Sequence, residues 1–321
     1  MKPIIHLGID PDAYPEGAVA EITTAAPDYE VLVTTDRKEI ETHLDRIEIA
    51  LASFPHDLIP RAASLAWLQQ AGAGADWLQN HPEVQGLSFT LTSASGVHAI
   101  PISEHMLGFL LALGRGFPAS IRGQKERVWE GNRNQDLFEL AGKRVLLLGV
   151  GAIGERFAKL CAACDMEVIG LRRDPSVPAE GVSRMVGMDG LRAELPRTDV
   201  LANTLPLTEE TRGMIGRAEI DAMKDRSVII NIGRGGTIDE AAMVDALKSG
   251  KLRAAGLDVF ETEPLPEDSP LWDMEQVLLT PHYSGLTPHY NERVYEIFVD
   301  NLGRYLRGET LRNVVDKQIG Y

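Results

Sequence analysis

Residues 143–163 read KRVLLLGVGAIGERFAKLCAA, and the fold turns on this stretch. Val145 to Leu148 make an unbroken apolar run, as expected of a strand buried on both faces of a parallel sheet. Gly149, Gly151 and Gly154 follow in G-x-G-x-x-G spacing. The pattern then takes a helical period, with Ala152, Ile153, Phe157 and Leu160 on roughly one side. Strand, tight turn and helix in that order predict a dinucleotide-binding unit. Gly149 permits the turn, Gly151 lets a pyrophosphate approach the backbone, and Gly154 lets the helix pack close to the strand. The unpaired N–H groups around Ala152 and Ile153, where the helix starts, would hold the phosphates.

The rest of the composition narrows the class. At 321 residues the chain is long for one core, so two domains are expected. A net charge of −15, with no basic patch, argues against a nucleic-acid partner. No apolar run reaches the roughly 18–20 residues that span a bilayer, so no membrane association is expected. The N-terminal residues lack a signal-peptide pattern. The two cysteines, Cys161 and Cys164, stand as C-x-x-C inside the helix after the glycine turn and read as core residues. No His/Cys/Asp cluster has metal-ligand spacing, so no metal is expected. The sum is a cytoplasmic α/β protein.

Upstream, apolar or β-branched runs at 3–8, 29–34, 47–52, 65–70 and 87–92 alternate with short helical patterns. Downstream, strand patterns recur at 168–171, 200–203, 227–232, 254–259 and 277–280. This alternation predicts two doubly wound parallel sheets with helices on both faces. An apolar helix over 105–113, a polar helix over 119–129 and a loop over 131–140 lie between the two sets. An amphipathic helix over 291–307 ends the chain.

The strand after the glycine turn ends Ile169-Gly-Leu-Arg-Arg-Asp174. An acid there would bind the adenosine ribose hydroxyls of NAD, whereas an arginine accommodates the 2′-phosphate of NADP. Arg172 stands where the acid is expected, and Arg173 adds a second guanidinium suited to phosphate. NADP(H) is therefore the expected cofactor, with NAD(H) as the other possibility through Asp174.

Later segments carry a resemblance. Asn231-Ile-Gly-Arg-Gly-Gly236, Gly256-Leu-Asp-Val-Phe-Glu-Thr-Glu-Pro264 and Leu279-Thr-Pro-His-Tyr-Ser-Gly285 resemble, in order and spacing, segments of the D-isomer-specific 2-hydroxyacid dehydrogenases. So do Leu205-Pro-Leu-Thr208 with Thr211, Ile102-Ser-Glu104 and Ala71-Gly-Ala-Gly-Ala-Asp76. The resemblance implies a Rossmann cofactor domain, residues 100–286, inserted into a flavodoxin-like substrate domain, residues 1–99 plus 287–321. It implies hinges near Ile100 and Leu286, and a homodimer built on the apolar helix and the segment beyond it. It further implies that Leu205, Pro206, Thr211, Ile232, Gly233 and Asp258 line the cofactor. Backbone N–H groups of Ala73 and Gly74 would meet a substrate carboxylate, and Phe54 would line the pocket.

The residue chemistry agrees. Reducing a small 2-keto acid to a D-2-hydroxy acid needs a cation, a proton donor and a hydride. Arg234 can bind the carboxylate by two hydrogen bonds and polarise the carbonyl, and its glycine neighbours let ligands approach. His282 suits the proton donor, and Glu263 can pair with the imidazolium. Both Arg234 and His282 would lie against the cofactor as well as the substrate. A dinucleotide-sensing protein resembling the C-terminal-binding corepressors, which keep the same triad, is the alternative. The remaining histidines and Trp129 and Trp272 read as surface, interface or packing positions, with His98 and His105 nearest the expected cleft.

Overall fold

The computed structural model describes residues 1–129 and 137–318. Most of the loop expected over 131–140 lies outside the described residues. The chain divides into two units, Met1–His98 with Thr287–Tyr321, and Ala99–Leu286.

In the first unit, β1 (Ile4–Gly8), β2 (Glu30–Val33), β3 (Ile47–Ala52), β4 (Trp67–Gln69) and β5 (Thr90–Thr92) pair in parallel, in the order β2-β1-β3-β4-β5. This is the flavodoxin-like doubly wound order. Successive side chains of a strand face opposite ways. Ile4, Ala50 and Leu68 accordingly enter one core cluster, and Ile5, Leu7, Ile49, Leu51 and Trp67 the other. The C-terminal helix, Tyr290–Leu306, buries Val294, Tyr295, Phe298, Asn301 and Leu302 at helical spacing. Phe298 stacks on Trp67 with ring centroids 5.1 Å apart. The expected strand over 87–92 shortens to three residues, because the Leu87 N–H turns back to the Val84 carbonyl at 3.2 Å.

In the second unit, β6 (Arg144–Leu148), β7 (Glu167–Leu171), β8 (Arg184–Val186), β9 (Val200–Asn203), β10 (Ser227–Asn231), β11 (Leu252–Leu257) and β12 (Val277–Leu279) are also all parallel. Their order is β12-β11-β10-β9-β6-β7-β8, so the winding reverses beside β6. That reversal is where open α/β sheets bind ligands. The β6 run divides as a strand buried on both faces must: Leu146 and Leu148 enter one cluster, Val145 and Leu147 the other. β8 was not expected; it is a three-residue edge strand beginning at the exposed Arg184.

Two helical expectations need correction. The glycine-turn helix (Ala152–Ala163) buries Gly154, Phe157, Ala158 and Cys161, whereas Ala152 is exposed and Ile153 and Leu160 are half-buried. The core face is thus turned by about one residue from the sequence pattern, because Gly154 must sit on the strand. Cys161 is a core residue whose thiol burial pushes up in pKa, but Cys164 is only half-buried. The apolar helix is longer than expected, Ala99–Gly114, and takes Ile100 into its first turn. It buries Ile102, Met106, Phe109, Leu110 and Leu113 and leaves Leu111 41% exposed.

Candidate active site

The glycine turn fits a dinucleotide by its steric demands. Gly149 has φ +88°, and a Cβ there would lie 2.9 Å from Thr204 Oγ1. A Cβ on Gly154 would lie 2.3 Å from the Gly149 carbonyl oxygen, so helix and turn touch backbone to backbone. A Cβ on Gly151 would meet nothing within 4 Å. Gly151 and Ala152 are exposed at the helix start, which leaves the open side of the turn to an anion.

At the end of β7 the Arg172 N–H bonds Val186 O at 3.2 Å, which fixes the backbone and leaves the side chain half-exposed. Arg173 is exposed, 3.7 Å from Glu210. Ser176 donates its N–H and its hydroxyl to Asp174 Oδ1, at 3.0 and 2.6 Å. These bonds hold the Asp174 pKa below the usual carboxylate range. One oxygen of the acid that could serve a ribose hydroxyl is therefore engaged by its own loop.

After β9, Thr211 Oγ1 donates to Pro206 O at 2.6 Å and pins the Leu205–Pro206 turn. The Leu205 N–H donates to Asn203 Oδ1 at 3.1 Å. Asn203 also donates to Asn231 at 2.9 Å and Thr237 at 2.7 Å, tying the ends of β9 and β10. Leu205 is half-buried, Pro206 exposed, and Thr211 and Ile232 buried.

The glycines around Arg234 serve the chain itself. A Cβ on Gly233 would lie 2.5 Å from Leu205 O, and one on Gly235 1.9 Å from Phe260 O. At both positions the space a side chain would need is taken by backbone of a neighbouring turn. Arg234 Nη1 donates to Gly233 O at 2.8 Å, so the guanidinium is folded over its own loop.

Glu263 and His282 meet. His282 Nδ1 shares a 2.7 Å hydrogen bond with Glu263 Oε2, and Glu263 Oε1 accepts the Phe260 N–H at 3.0 Å. Their side chains stay 49% and 35% exposed, so the outer face of the imidazole is open. His282 holds φ +51°, a left-handed conformation uncommon for a residue with a Cβ. Such strain concentrates at functional sites. Arg234, Glu263 and His282 line one cavity of about 700 Å³. A second cavity of about 570 Å³, also lined by Glu263 and His282, has apolar groups in its wall, including Leu265, Trp272 and Leu279. Trp272 is 55% exposed there, with Nε1 donating to Pro266 O at 2.8 Å, and is not a buried packing residue. Trp129 likewise is fully exposed.

Asp258 is wholly buried and shapes the loop that carries His282. Oδ1 accepts Thr280 Oγ1 at 2.6 Å and the Tyr283 N–H at 3.1 Å; Oδ2 accepts the Ser284 N–H at 3.1 Å and hydroxyl at 2.5 Å. His105 extends this chain, with Nε2 3.0 Å from Thr280 Oγ1. Burial lowers the His105 pKa, against the opposing pull of Asp258. The His105–Thr280–Asp258 relay has no short sequence motif, since its members come from distant parts of the chain.

In the first unit, Ala73 is half-buried and Gly74 exposed in the loop after β4. Phe54 is 4% exposed and packs inside the core, edge-on to the buried His6 with ring centroids 5.6 Å apart. His56 and His81, expected at the surface, are half-buried around Trp77. Among the described residues, no helix is long and apolar enough to cross a membrane, and no group of three His, Cys, Asp or Glu could hold a metal ion.

Comparison with known proteins adds to this geometry. The family model for the D-isomer specific 2-hydroxyacid dehydrogenase NAD binding domain matches residues 107–284. The chain is 35% identical over 263 residues to D-3-phosphoglycerate dehydrogenase of Methanocaldococcus jannaschii, covering 81% of this chain and 49% of that one. It thus spans about half the length of the phosphoglycerate dehydrogenases it matches. It is 35% identical over 223 residues to glyoxylate/hydroxypyruvate reductase B of Yersinia pestis, covering 68% of each. Among solved structures it is similar to the NADPH-dependent glyoxylate/hydroxypyruvate reductase of Sinorhizobium meliloti in complex with NADP and sulfate, at 31% identity and a TM-score of 0.79, with both chains fully covered.

Proposed function

The chain belongs to the D-isomer specific 2-hydroxyacid dehydrogenase family, and from that premise we propose that it is an NADP(H)-dependent oxidoreductase of small 2-keto acids and the matching D-2-hydroxy acids. The observation that carries the reading is the His282–Glu263 pair, joined at 2.7 Å and sharing a cavity with Arg234. When bound, the nicotinamide supplies or takes up the hydride. Arg234 binds the substrate carboxylate and polarises the carbonyl, because its guanidinium offers paired donors. His282 holds a proton on its exposed nitrogen, Nε2, and passes it to the carbonyl oxygen in reduction. Glu263 fixes the ring through Nδ1 and balances the imidazolium charge.

Arg172 and Arg173 hold the 2′-phosphate in this reading, supported by the engagement of Asp174 Oδ1 by Ser176. The similar Sinorhizobium meliloti enzyme was solved with NADP. Exposed apolar side chains at Phe117, Ile121 and Trp129 support the homodimer. The free thiols support a reducing, cytoplasmic setting.

The test is an assay matrix of purified protein with glyoxylate, hydroxypyruvate and branched or aromatic 2-keto acids against NADPH and NADH. Oxidation of NADPH by at least one keto acid is expected. Tight NADPH binding with no turnover of any keto acid would sink the enzyme reading and favour a dinucleotide sensor.

A further inference from the structure

The loop that carries Ala73 and Gly74 is organised by the residue just before it. Gln70 is 7% exposed, and its amide is engaged on every side. Nε2 donates to Gly72 O at 3.0 Å and to Gly74 O at 2.6 Å, and Oε1 accepts Trp77 Nε1 at 2.8 Å. Flipping the amide would set its oxygen against two carbonyls and its NH₂ against an indole N–H, so the network admits one orientation. Trp77 is itself held, stacked on His56 with ring centroids 3.8 Å apart and planes 14° from parallel. The Ala71 carbonyl accepts the Tyr290 hydroxyl at 2.5 Å, and the Gly72 carbonyl also accepts the Ala94 N–H at 3.0 Å.

A trans peptide points its C=O and N–H in opposite directions. The Gly72 carbonyl is aimed at Gln70, so the N–H of the same peptide, on Ala73, points away from it. The Ala71 carbonyl is aimed at Tyr290, which turns the Gly72 N–H the other way. No acceptor among the described residues takes either N–H. The Gly72 and Gly74 carbonyls are gathered on Gln70, and the Ala73 N–H on the far side of the first is left for an outside acceptor, which is the polarity an anionic group requires.

We propose that Gln70, oriented by Trp77, is a positioning residue that sets the peptide planes of this loop and so presents the Ala73 N–H to a ligand carboxylate. The ligand rests on the 2-keto-acid reading; the control of the loop does not. A contact made equally in the ground and transition states changes KM and leaves kcat. Gln70→Met keeps the length and removes every hydrogen bond. It is expected to raise KM for glyoxylate about tenfold, with kcat within about twofold, and to leave NADPH binding unchanged. Gln70→Glu still accepts from Trp77 but turns an anion toward two carbonyls, and should do as much damage. Trp77→Phe keeps the stack and loses the donor; a smaller rise in KM, about threefold, is expected. Wild-type KM in Gln70→Glu, or a matching loss of NADPH affinity in all three variants, would overturn the proposal.

Hydrogen exchange separates the loop from the activity. Exchange of the Ala94 N–H, which the Gly72 carbonyl of this loop accepts at 3.0 Å, should quicken in Gln70→Met whether or not the chain turns over a keto acid. Unchanged exchange overturns the positioning role. Quickened exchange in a chain that reduces no keto acid upholds that role and removes only the functional reading.

Discussion

His282 Nδ1 lies 2.7 Å from Glu263 Oε2, while the other Glu263 oxygen accepts the Phe260 N–H at 3.0 Å. The carboxylate is thereby fixed at one end to the backbone and at the other to the imidazole. Replacing His282 with Ala should lower kcat by roughly 10²–10⁴-fold, the usual worth of a general acid. Glu263→Gln keeps an acceptor but loses the charge, and a smaller loss, about tenfold or more, is expected. NADPH titration by fluorescence should show unchanged affinity in both. Full kcat in His282→Ala would remove its assigned role.

Arg172 decides cofactor choice in the proposed reading. Arg172→Asp removes a guanidinium and places like charge against the 2′-phosphate. The ratio of kcat/KM with NADPH to that with NADH should fall by roughly 10–100-fold, the worth of a hydrogen bond to a charged group. The check is paired kinetics with both cofactors. An unmoved ratio would assign the preference to other residues.

Gly235 is a packing requirement that can be tested apart from activity. A Cβ there would lie 1.9 Å from the Phe260 carbonyl carbon and oxygen, both backbone atoms that cannot rotate aside. Gly235→Ala should destabilise the fold by about 1–3 kcal/mol, as overpacking does. Arg234 and the Phe260–Glu263 turn should shift together, so activity should fall with stability. Urea unfolding at constant m-value measures the first effect. A variant as stable as the parent would show that the loop yields without strain.

His6 should make stability depend on pH. It is wholly buried, with Nε2 2.9 Å from Thr34 O, and burial lowers its pKa below the ordinary value. Above about pH 6.5 it is neutral in both states and contributes no pH dependence. As the pH falls below that value, the unfolded chain takes up a proton that the folded chain resists, and stability is lost progressively down to the folded pKa. His6→Gln, which can still donate to Thr34 O, should show a shallower fall. Urea midpoints at pH 7.5, 6.5 and 5.5 make the comparison; parallel curves would exclude His6 as a source.

Much of the architecture was legible because its signals are local. The apolar run of β6, the three glycines after it and the alternation of strand and helix each sit within a short window. Each reflects a constraint that a neighbouring residue imposes. Arg234, Glu263 and His282 were readable because they lie in segments that resemble, in order and spacing, those of the family. What misled the sequence reading was surroundings. Phe54 ends a strand, as a pocket residue could, yet it packs inside the core. His56 is polar and loop-borne, as a surface residue would be, yet it stacks on Trp77.

The glycine turn and the parallel winding follow from the chain alone, and so does the proposal that His282 and Glu263 form an acid–base pair, since steric and chemical requirements of that kind are written residue by residue. Only the tertiary structure decided that Asp258 is consumed by Thr280 and Ser284, that Gly233 and Gly235 serve backbone packing, and that Asp174 turns to Ser176. It alone showed that Gln70 holds the loop beyond it. Hydrogen-bond partners are chosen by proximity in space and by the need to satisfy every buried polar group. The folded chain brings Asp258 to Ser284 and Gln70 to Trp77 at bonding distance, and spacing along the sequence does not record that choice.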